Sequence, residues 1–185
     1  MRESQKRRRA QDRPGPYRWA VQVFFLAIAL SAALSLASET SLGGAGAAAA
    51  AAVLAVFIGL GILFDIIGVA VTAADPRPFH SMAAHKAPGA REALMLLRNA
   101  GRVSSVCNDV VGDICGIVSG TTTAVIVVRL QAALGLPESV ALSVAVTALV
   151  SGLTIGGKAL GKTVALNKST SVVYWVGRVL HLFHR

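Results

Sequence analysis

The chain has 185 residues and a formal net charge of +9; 54% of its residues are hydrophobic and only 15% are charged. Soluble domains carry about 25% charged residues, and the apolar excess here lies in long blocks of Ala, Val, Leu and Ile. This composition excludes a disordered chain and a disulfide-rich secreted miniprotein, and it argues against an ordinary soluble enzyme. It predicts a small polytopic membrane protein without catalytic residues.

Four stretches are long and apolar enough to cross a bilayer, which takes about 20 consecutive apolar residues in a helix. In chain order these predicted spans are 19–37, 47–74, 104–128 and 140–166. A cleaved signal peptide is the alternative interpretation of the first span, because a basic segment precedes it. Its apolar run is longer than the usual stretch of roughly 7–15 residues, however, so we predict a retained helix.

The lysines and arginines predict the orientation of these spans. Seven of the 18 lie before or at the start of the first span, five lie in the loop 75–103, and five lie within or after the last span. The loop 39–46 has none, and only Arg129 flanks the loop near 131–139. Because cytoplasmic loops are enriched in Lys and Arg, we expect a multi-pass protein of the cell membrane with both termini in the cytoplasm. The basic charge then follows from topology and requires no nucleic acid partner.

Three parts of the chain follow from this topology. Residues 1–16 form a basic cytoplasmic tail, residues 17–168 the transmembrane domain, and residues 169–185 an amphipathic C-terminal helix. In the loop 75–103, a Pro-Gly pair separates two short helical segments, whose mixed apolar and basic residues suit a connector at the membrane surface. The predicted fold class is all-α, with four transmembrane helices, a broken juxtamembrane connector and a C-terminal amphipathic helix.

Small residues recur every four positions in the third and fourth spans. Such spacing lets helix backbones approach closely in lipid. Two interpretations stay open: the glycines pack helices within one chain, or part of their surface is a dimer interface. The glycines concerned are Gly112, Gly116, Gly120, Gly152, Gly156, Gly157 and Gly161.

Ionisable and amide side chains interrupt three of the spans at membrane depth, where unpaired charge is costly. Asp109 and Asp113 are four residues apart, so they project from one helix face on neighbouring turns. Carboxylate and amide oxygens are hard ligands that suit Mg²⁺ or Ca²⁺. A structural Asp–Lys network that holds the helices in register is the alternative that the residues leave open. The candidate residues are Asp65, Asn108, Asp109, Asp113, Lys158 and Lys162.

Four stretches, in one order, resemble the transmembrane domain of the CNNM/CorC (CorB) family. Residues 64–72 (FDIIGVAVT) resemble its FSGSE-x-A-L-T stretch, and residues 89–102 look like its juxtamembrane G-A-x-x-A-L-x-L-L segment. Residues 107–113 (CNDVVGD) are similar to its G-N-N-L-V-N, and residues 157–166 (GKALGKTVAL) to its G-E-I-x-P-K-x-L-A-L. The resemblance covers residues 60–168 and leads us to expect a divergent member without CBS domains.

The resemblance implies a dimeric module that transports Mg²⁺ or Co²⁺, with the ion held by serine, asparagine and glutamate side chains near a helix break. Asn108 matches a family asparagine, and Lys162 matches the family lysine. Other positions depart from the pattern, which implies an altered ion site. The departures are Asp65 for serine, Gly68 and Lys158 for glutamates, Asp109 and Asp113 for asparagines, and Gly161 for proline.

We therefore expect divalent cation transport by a homodimer, with Mg²⁺ as the first candidate ion and Asn108 and Asp109 as the first candidate ligands. One alternative is a non-transporting scaffold or partner-binding protein whose Asp–Lys network is structural. Another is a proton-coupled carrier that uses the paired aspartates. In the transporter, the cation path would be lined by Asp65, Asn108, Asp109 and Asp113, with Lys158 and Lys162 as counter-charges.

Overall fold

The computed structural model describes residues 16–42, 46–135, 137 and 139–183, so residues 1–15 of the predicted tail and the last two residues lie outside it. Every regular element in the described residues is helical, which confirms the predicted all-α fold. Seven residues inside the third span form π-helix and are called the π segment. The elements are α1 (Pro16–Leu42), α2 (Ala47–Ala73), α3 (Arg77–Ala84), α4 (Ala90–Arg98), α5 (Ala100–Ser105), the π segment (Val106–Gly112), α6 (Asp113–Leu134), α7 (Val140–Asn167) and α8 (Ser169–Phe183).

Four helical stretches are long and apolar enough to cross a membrane, as predicted. They are α1, α2, the continuous stretch from α5 through the π segment to α6, and α7. The third has 35 residues, Ala100–Leu134, which is about 52 Å at 1.5 Å per residue, against a hydrocarbon core of about 30 Å. It extends beyond the predicted span 104–128 because helical hydrogen bonding continues through interfacial residues that lie outside the apolar run.

α2 is the central helix of the bundle. It contacts α1, α5, the π segment, α6, α7 and α8. Its Phe57 packs in an apolar core with Val110 of the π segment and with Ile114 and Val118 of α6. The most hydrophobic windows of α1 and α7, by contrast, contain no buried residue. These two helices therefore lie at the periphery and present most of their surface to the surroundings of the bundle.

Two glycines bring α7 close to α2. A Cβ at Gly161 would lie 2.9 Å from Ile66 Cγ1, and one at Gly157 would collide with Ile62 Cδ1. Small residues permit such close approach of helices in a membrane. This contact packs the half of α7 that carries Lys158 against the half of α2 that carries Asp65.

The connector end of the molecule consists of α3, α4 and α8 with the last turns of α2 and α7, and it has its own apolar core. Phe79, Ala93 and Val173 are fully buried there, together with Val71 of α2 and Ala165 of α7. Each of these side chains comes from a different helix. The core therefore fixes the connector and the C-terminal helix to the spanning helices.

Two glycines join α4 to α8 backbone to backbone. Gly89 has a φ of +84°, a left-handed conformation that glycine adopts without strain, and a Cβ there would lie 2.6 Å from the amide nitrogen of Arg178. Gly177 approaches the carbonyl oxygen of Gly89 so closely that no side chain fits. The predicted turn at Pro88-Gly89 is therefore also the place where the C-terminal helix docks.

Candidate cation site

Polar side chains from three parts of the bundle lie at one level. Asp65 in α2 and Lys158 in α7 each lie a little more than two turns before the connector end of their helix. Asn108 lies a similar distance after the start of α5. At 1.5 Å per residue, this level is about 12–14 Å inside the connector end. We call it the inner level.

Asp65 is the buried acid of the inner level. The residue is 6% exposed, and its Oδ2 is buried without a hydrogen-bond partner in the part of the chain that the structure describes. Burying a carboxylate without a partner costs several kilocalories per mole. This oxygen therefore needs a cation or another partner that the described residues do not supply.

Asn108 presents a second buried oxygen. Its Nδ2 donates to Ser104 Oγ over 3.2 Å, which orients the carboxamide, and its Oδ1 has no partner among the described residues. The carboxamide lies directly against Gly68, where a Cβ would be 2.7 Å from Asn108 Cγ. Gly68 is three residues from Asp65, so Asn108 approaches α2 one turn from the acid and on the same face of the helix.

The π segment accounts for the inward position of Asn108. A π-turn holds more residues than an α-turn, so it changes which residues of the helix face the bundle. Asn108 is partly buried, whereas the next residue, Asp109, is exposed. Single π-turns inside α-helices occur frequently at functional sites. The α-helical spacing assumed from the sequence does not reveal this change of pitch.

Lys158 reaches the π segment from α7. A Cβ at Gly112, the last residue of that segment, would lie 3.6 Å from Lys158 Nζ, so the ammonium lies against a turn without a side chain. No carboxylate oxygen of the described residues lies within 4.0 Å of that nitrogen. Lys158 therefore brings positive charge to the inner level without forming a direct Asp–Lys ion pair.

Asp109 and Asp113 lie on the outer side of the third span. Both are exposed, and Ser105 Oγ donates to Asp109 Oδ2 over 2.6 Å. Gly116 and Gly120 are also exposed, and a Cβ at either would meet nothing within 4 Å. We call Asp109, Asp113, Gly116 and Gly120 the outer stripe. The structure thus separates these two aspartates from the buried oxygens of the inner level.

The remaining predicted residues lie outside the inner level. Lys162 is exposed on α7, and a Cβ at Gly156 would meet nothing within 4 Å. Close packing between α2 and α7 comes from Gly157 and Gly161 instead. Of the other glycines proposed for helix packing, Gly112 lies beside Lys158, and an added Cβ would meet nothing within 4 Å at Gly116, Gly120, Gly152 or Gly156.

A column of small polar side chains, which was not predicted, continues from the inner level along the buried face of α6. Cys115, Ser119 and Thr122 follow one another at helical spacing and are buried. Ser119 Oγ has no partner in the described residues, and Thr122 Oγ1 lies 3.3 Å from Ser38 Oγ of α1. The available signal was the spacing of hydroxyl residues within an apolar span.

The inner level offers oxygen donors of the kind that hard cations prefer. The described residues contain no cluster of three or more His, Cys, Asp or Glu side chains able to hold a metal ion. A carboxylate and a carboxamide oxygen, both without partners, suit Mg²⁺, because Mg²⁺ keeps several of its waters and needs few protein ligands. The donor set therefore fits a partly hydrated Mg²⁺, and the Lys158 ammonium opposes it.

No family model, no curated protein and no solved structure matches this chain. The resemblance to the CNNM/CorC family therefore rests on the four motifs. Two of them, at 64–72 and 107–113, supply Gly68 and Asn108, which form the contact between α2 and the π segment.

Proposed function

We propose that this chain is a multi-pass cell-membrane protein that transports divalent metal cations, Mg²⁺ or Co²⁺, in the manner of CNNM/CorC-type transporters but through an altered ion site. The observation that carries the proposal is the pair of buried oxygens, Asp65 Oδ2 and Asn108 Oδ1, which have no partners in the described residues. They belong to contacting elements at a depth where unsatisfied polar groups are costly. A bound cation would satisfy both.

The column of small polar side chains along α6 supports a route for the ion from this site toward the other end of the bundle. Ser119 lies about three turns (~16 Å) beyond Asn108, Thr122 lies about one turn beyond Ser119, and Ser38 of α1 meets Thr122. Hydroxyl oxygens can replace hydration waters one at a time as an ion moves. Ser119 Oγ, which is buried and has no partner in the described region, is the next oxygen available to a departing ion.

Lys158 supplies the counter-charge of the proposed site. Its ammonium lies beside Gly112 and repels a divalent cation at the inner level. Conduction requires binding that is weak enough for the ion to leave. In this proposal Lys158 lowers the affinity of the site, and it compensates part of the carboxylate charge when no ion is bound.

The outer stripe supports a homodimer. Asp109 and Asp113 are exposed on a spanning helix, and a charged residue facing lipid near the bilayer centre costs about 2.5–3.5 kcal/mol. Gly116 and Gly120 leave the adjacent surface flat, as close helix contacts in lipid require. A second copy would cover the stripe, and a cation between the facing carboxylates would relieve their repulsion.

The proposed orientation places both termini in the cytoplasm. The connector end carries the exposed Arg77, Lys86, Arg91, Arg98 and Arg102. An excess of Lys and Arg is typical of cytoplasmic loops. The inner level then lies in the half of the membrane nearer the cytoplasm.

Thermal melting of the purified full-length protein in detergent tests the site. We expect Mg²⁺ and Co²⁺, added at fixed ionic strength, to raise the melting temperature to a plateau, because an ion bound only to the folded state adds about 2.7 kcal/mol at 100 Kd. Asp65→Asn should abolish this rise. Asp75→Asn, which removes the same charge from an exposed position, should keep it. Proteoliposomes with an entrapped metal-sensitive dye then test transport by the same variants.

The non-transporting scaffold or partner-binding protein is the second candidate, favoured by the ammonium that lies at the inner level. In that case the polar residues hold the helices in register, and metal ions act only through ionic strength. A melting temperature that is insensitive to Mg²⁺ and Co²⁺, combined with loss of stability in Asp65→Asn, would support the scaffold and contradict the transporter.

A further inference from the structure

A cavity at the connector end is separate from the proposed cation site. It has a volume of about 340 Å³ and lies between the turn from α3 to α4 and the last turns of α8. Cavities that hold small ligands measure about 300–1,000 Å³. Its polar walls come from Lys86, Arg91, Glu92 and His181, with Gly89 between them.

The walls of this cavity are held in place by specific contacts. His181 Nδ1–H donates to Glu92 Oε1 over 2.8 Å, which ties α8 to α4, and the backbones of Gly89 and Gly177 touch. Lys86 has a φ of +56°, a left-handed conformation that is unfavourable for a residue with a side chain. Its amide donates to the Ala83 carbonyl oxygen over 3.1 Å, which holds that conformation.

The charge of the cavity favours an anion. Lys86 and Arg91 are exposed, and neither forms an ion pair with another described residue. Glu92 is the acidic residue of the lining, and its carboxylate is engaged by His181. The N-terminus of α4, which no side chain caps, adds backbone N–H groups and the positive end of the helix dipole. Positive charge therefore exceeds negative charge around the opening.

The helix beside the cavity has the features of a helix at the membrane interface. One residue separates α8 from the spanning helix α7, so α8 starts at the membrane boundary. Trp175, Val179 and Leu182 are exposed along one side of α8, whereas Val173 and Gly177 are buried on the other. An amphipathic helix with an exposed apolar side and a tryptophan is typical of the membrane interface.

We propose that this cavity binds a phosphate-bearing anion, the headgroup phosphate of an anionic lipid, with Lys86 and Arg91 as its cationic contacts. Basic pockets beside membrane-spanning helices bind anionic headgroups, and this pocket is bounded on one side by a helix that lies in the interface. The proposal does not depend on cation transport, because none of its residues belongs to the inner level.

The test is a titration of the full-length protein in detergent with short-chain phosphatidylglycerol, followed by thermal melting, with short-chain phosphatidylcholine as the neutral comparison. We expect phosphatidylglycerol to raise the melting temperature and phosphatidylcholine to leave it unchanged. The double variant Lys86→Gln/Arg91→Gln should bind the anionic lipid about 30-fold more weakly, since each basic residue near a membrane surface contributes about fivefold.

The matched control is Arg98→Gln/Arg102→Gln, which removes the same charge from exposed positions of the connector outside the lining of the cavity. It should bind phosphatidylglycerol within about twofold of the unmodified chain, since the surface potential changes little. Equal losses in both double variants would overturn the proposal and leave only general surface attraction. If Lys86→Gln/Arg91→Gln does not fold, Arg91→Gln alone must weaken binding about fivefold.

Inorganic phosphate distinguishes the two sources of the ligand. If millimolar phosphate raises the melting temperature and Lys86→Gln/Arg91→Gln abolishes the rise, the cavity takes a phosphate anion from solution. If only phosphatidylglycerol acts, the ligand is the lipid headgroup. If neither acts on the unmodified chain, or phosphatidylcholine acts equally, the proposal is wrong.

Discussion

Two acidic side chains on helices of this molecule have opposite surroundings. The side chain of Glu92 at the connector end is 15% exposed, and its Oε1 lies 2.8 Å from His181 Nδ1. Asp65 in the bundle is buried, and one of its oxygens has no partner in the described residues. The connector end thus satisfies this acid within the chain, whereas the inner level does not. The contrast teaches that unsatisfied buried atoms, more than the number of charges, distinguish a binding site from a structural contact.

The largest effect should come from Gly89→Ala, which disrupts the contact between α4 and α8 at the connector end. Alanine in a left-handed conformation costs about 1–2 kcal/mol, and the collision with the Arg178 backbone adds about 1–3 kcal/mol. We expect a loss of about 3 kcal/mol in the free energy of unfolding, measured by circular dichroism during denaturation in mixed micelles. Gly101→Ala, where the added Cβ meets nothing, should retain full stability. Equal stability of the two variants would mean that α4 and α8 do not touch.

Asp65→Asn, at the inner level, should raise the free energy of unfolding, whereas Gly89→Ala lowers it. In the presence of a chelator, the amide removes an unpaired buried charge while keeping the shape of the side chain, so we expect a gain of about 2 kcal/mol in the free energy of unfolding. The measurement is the same denaturation at neutral pH. A loss of stability would show that Asp65 has a partner that holds the fold together, and the comparison would fail.

Lys158→Gln tests whether the Lys158 ammonium lowers the affinity of the inner level for a divalent cation. Removing the ammonium beside Gly112 takes away a repulsion that acts on any divalent cation there. We expect the apparent Mg²⁺ affinity, taken from the midpoint of the melting titration, to rise about tenfold, or about 1.4 kcal/mol. Lys162→Gln, on the exposed surface of the same helix, should change it by less than about twofold. An unchanged midpoint in Lys158→Gln would remove Lys158 from the site.

The smallest effect should come from Glu92→Gln. The amide can still accept a hydrogen bond from His181, and the side chain of His181 is 44% exposed, so solvent screens much of the charge. We expect a loss of about 1 kcal/mol in the free energy of unfolding and an unchanged Mg²⁺ midpoint. A shifted midpoint would show that the two regions are coupled.

The architecture could be predicted from the sequence to a large extent. Four apolar runs indicated the spans, and the Pro-Gly pair at Gly89 indicated the break in the connector. Both signals are local, because they depend on apolar length and on backbone conformations that few residues adopt. The exact ends of the helices differ from the apolar runs, since polar residues at the interface extend a helix as well as apolar ones.

The candidate site could be predicted only in part. Asp65 and Asn108 were recognised as polar residues at membrane depth, and the structure places both at the inner level. Asp109 and Asp113 were expected to line a cation path, and both are exposed; spacing alone does not tell which way a helix face points, and the π segment alters the phase. The position of the Lys158 ammonium depends on the conformation of a long side chain, which no sequence pattern specifies.

The junction between α7 and α8 has a mechanical consequence. A single residue, Lys168, separates the two helices, and its amide donates to the Val164 carbonyl oxygen while its own carbonyl accepts from the Val172 amide. The hydrogen bonding therefore continues across Lys168, and the two helices are joined without a flexible linker. Because α8 also packs against α4 at Gly89 and Gly177, the last turn of α7 is anchored to the connector helices.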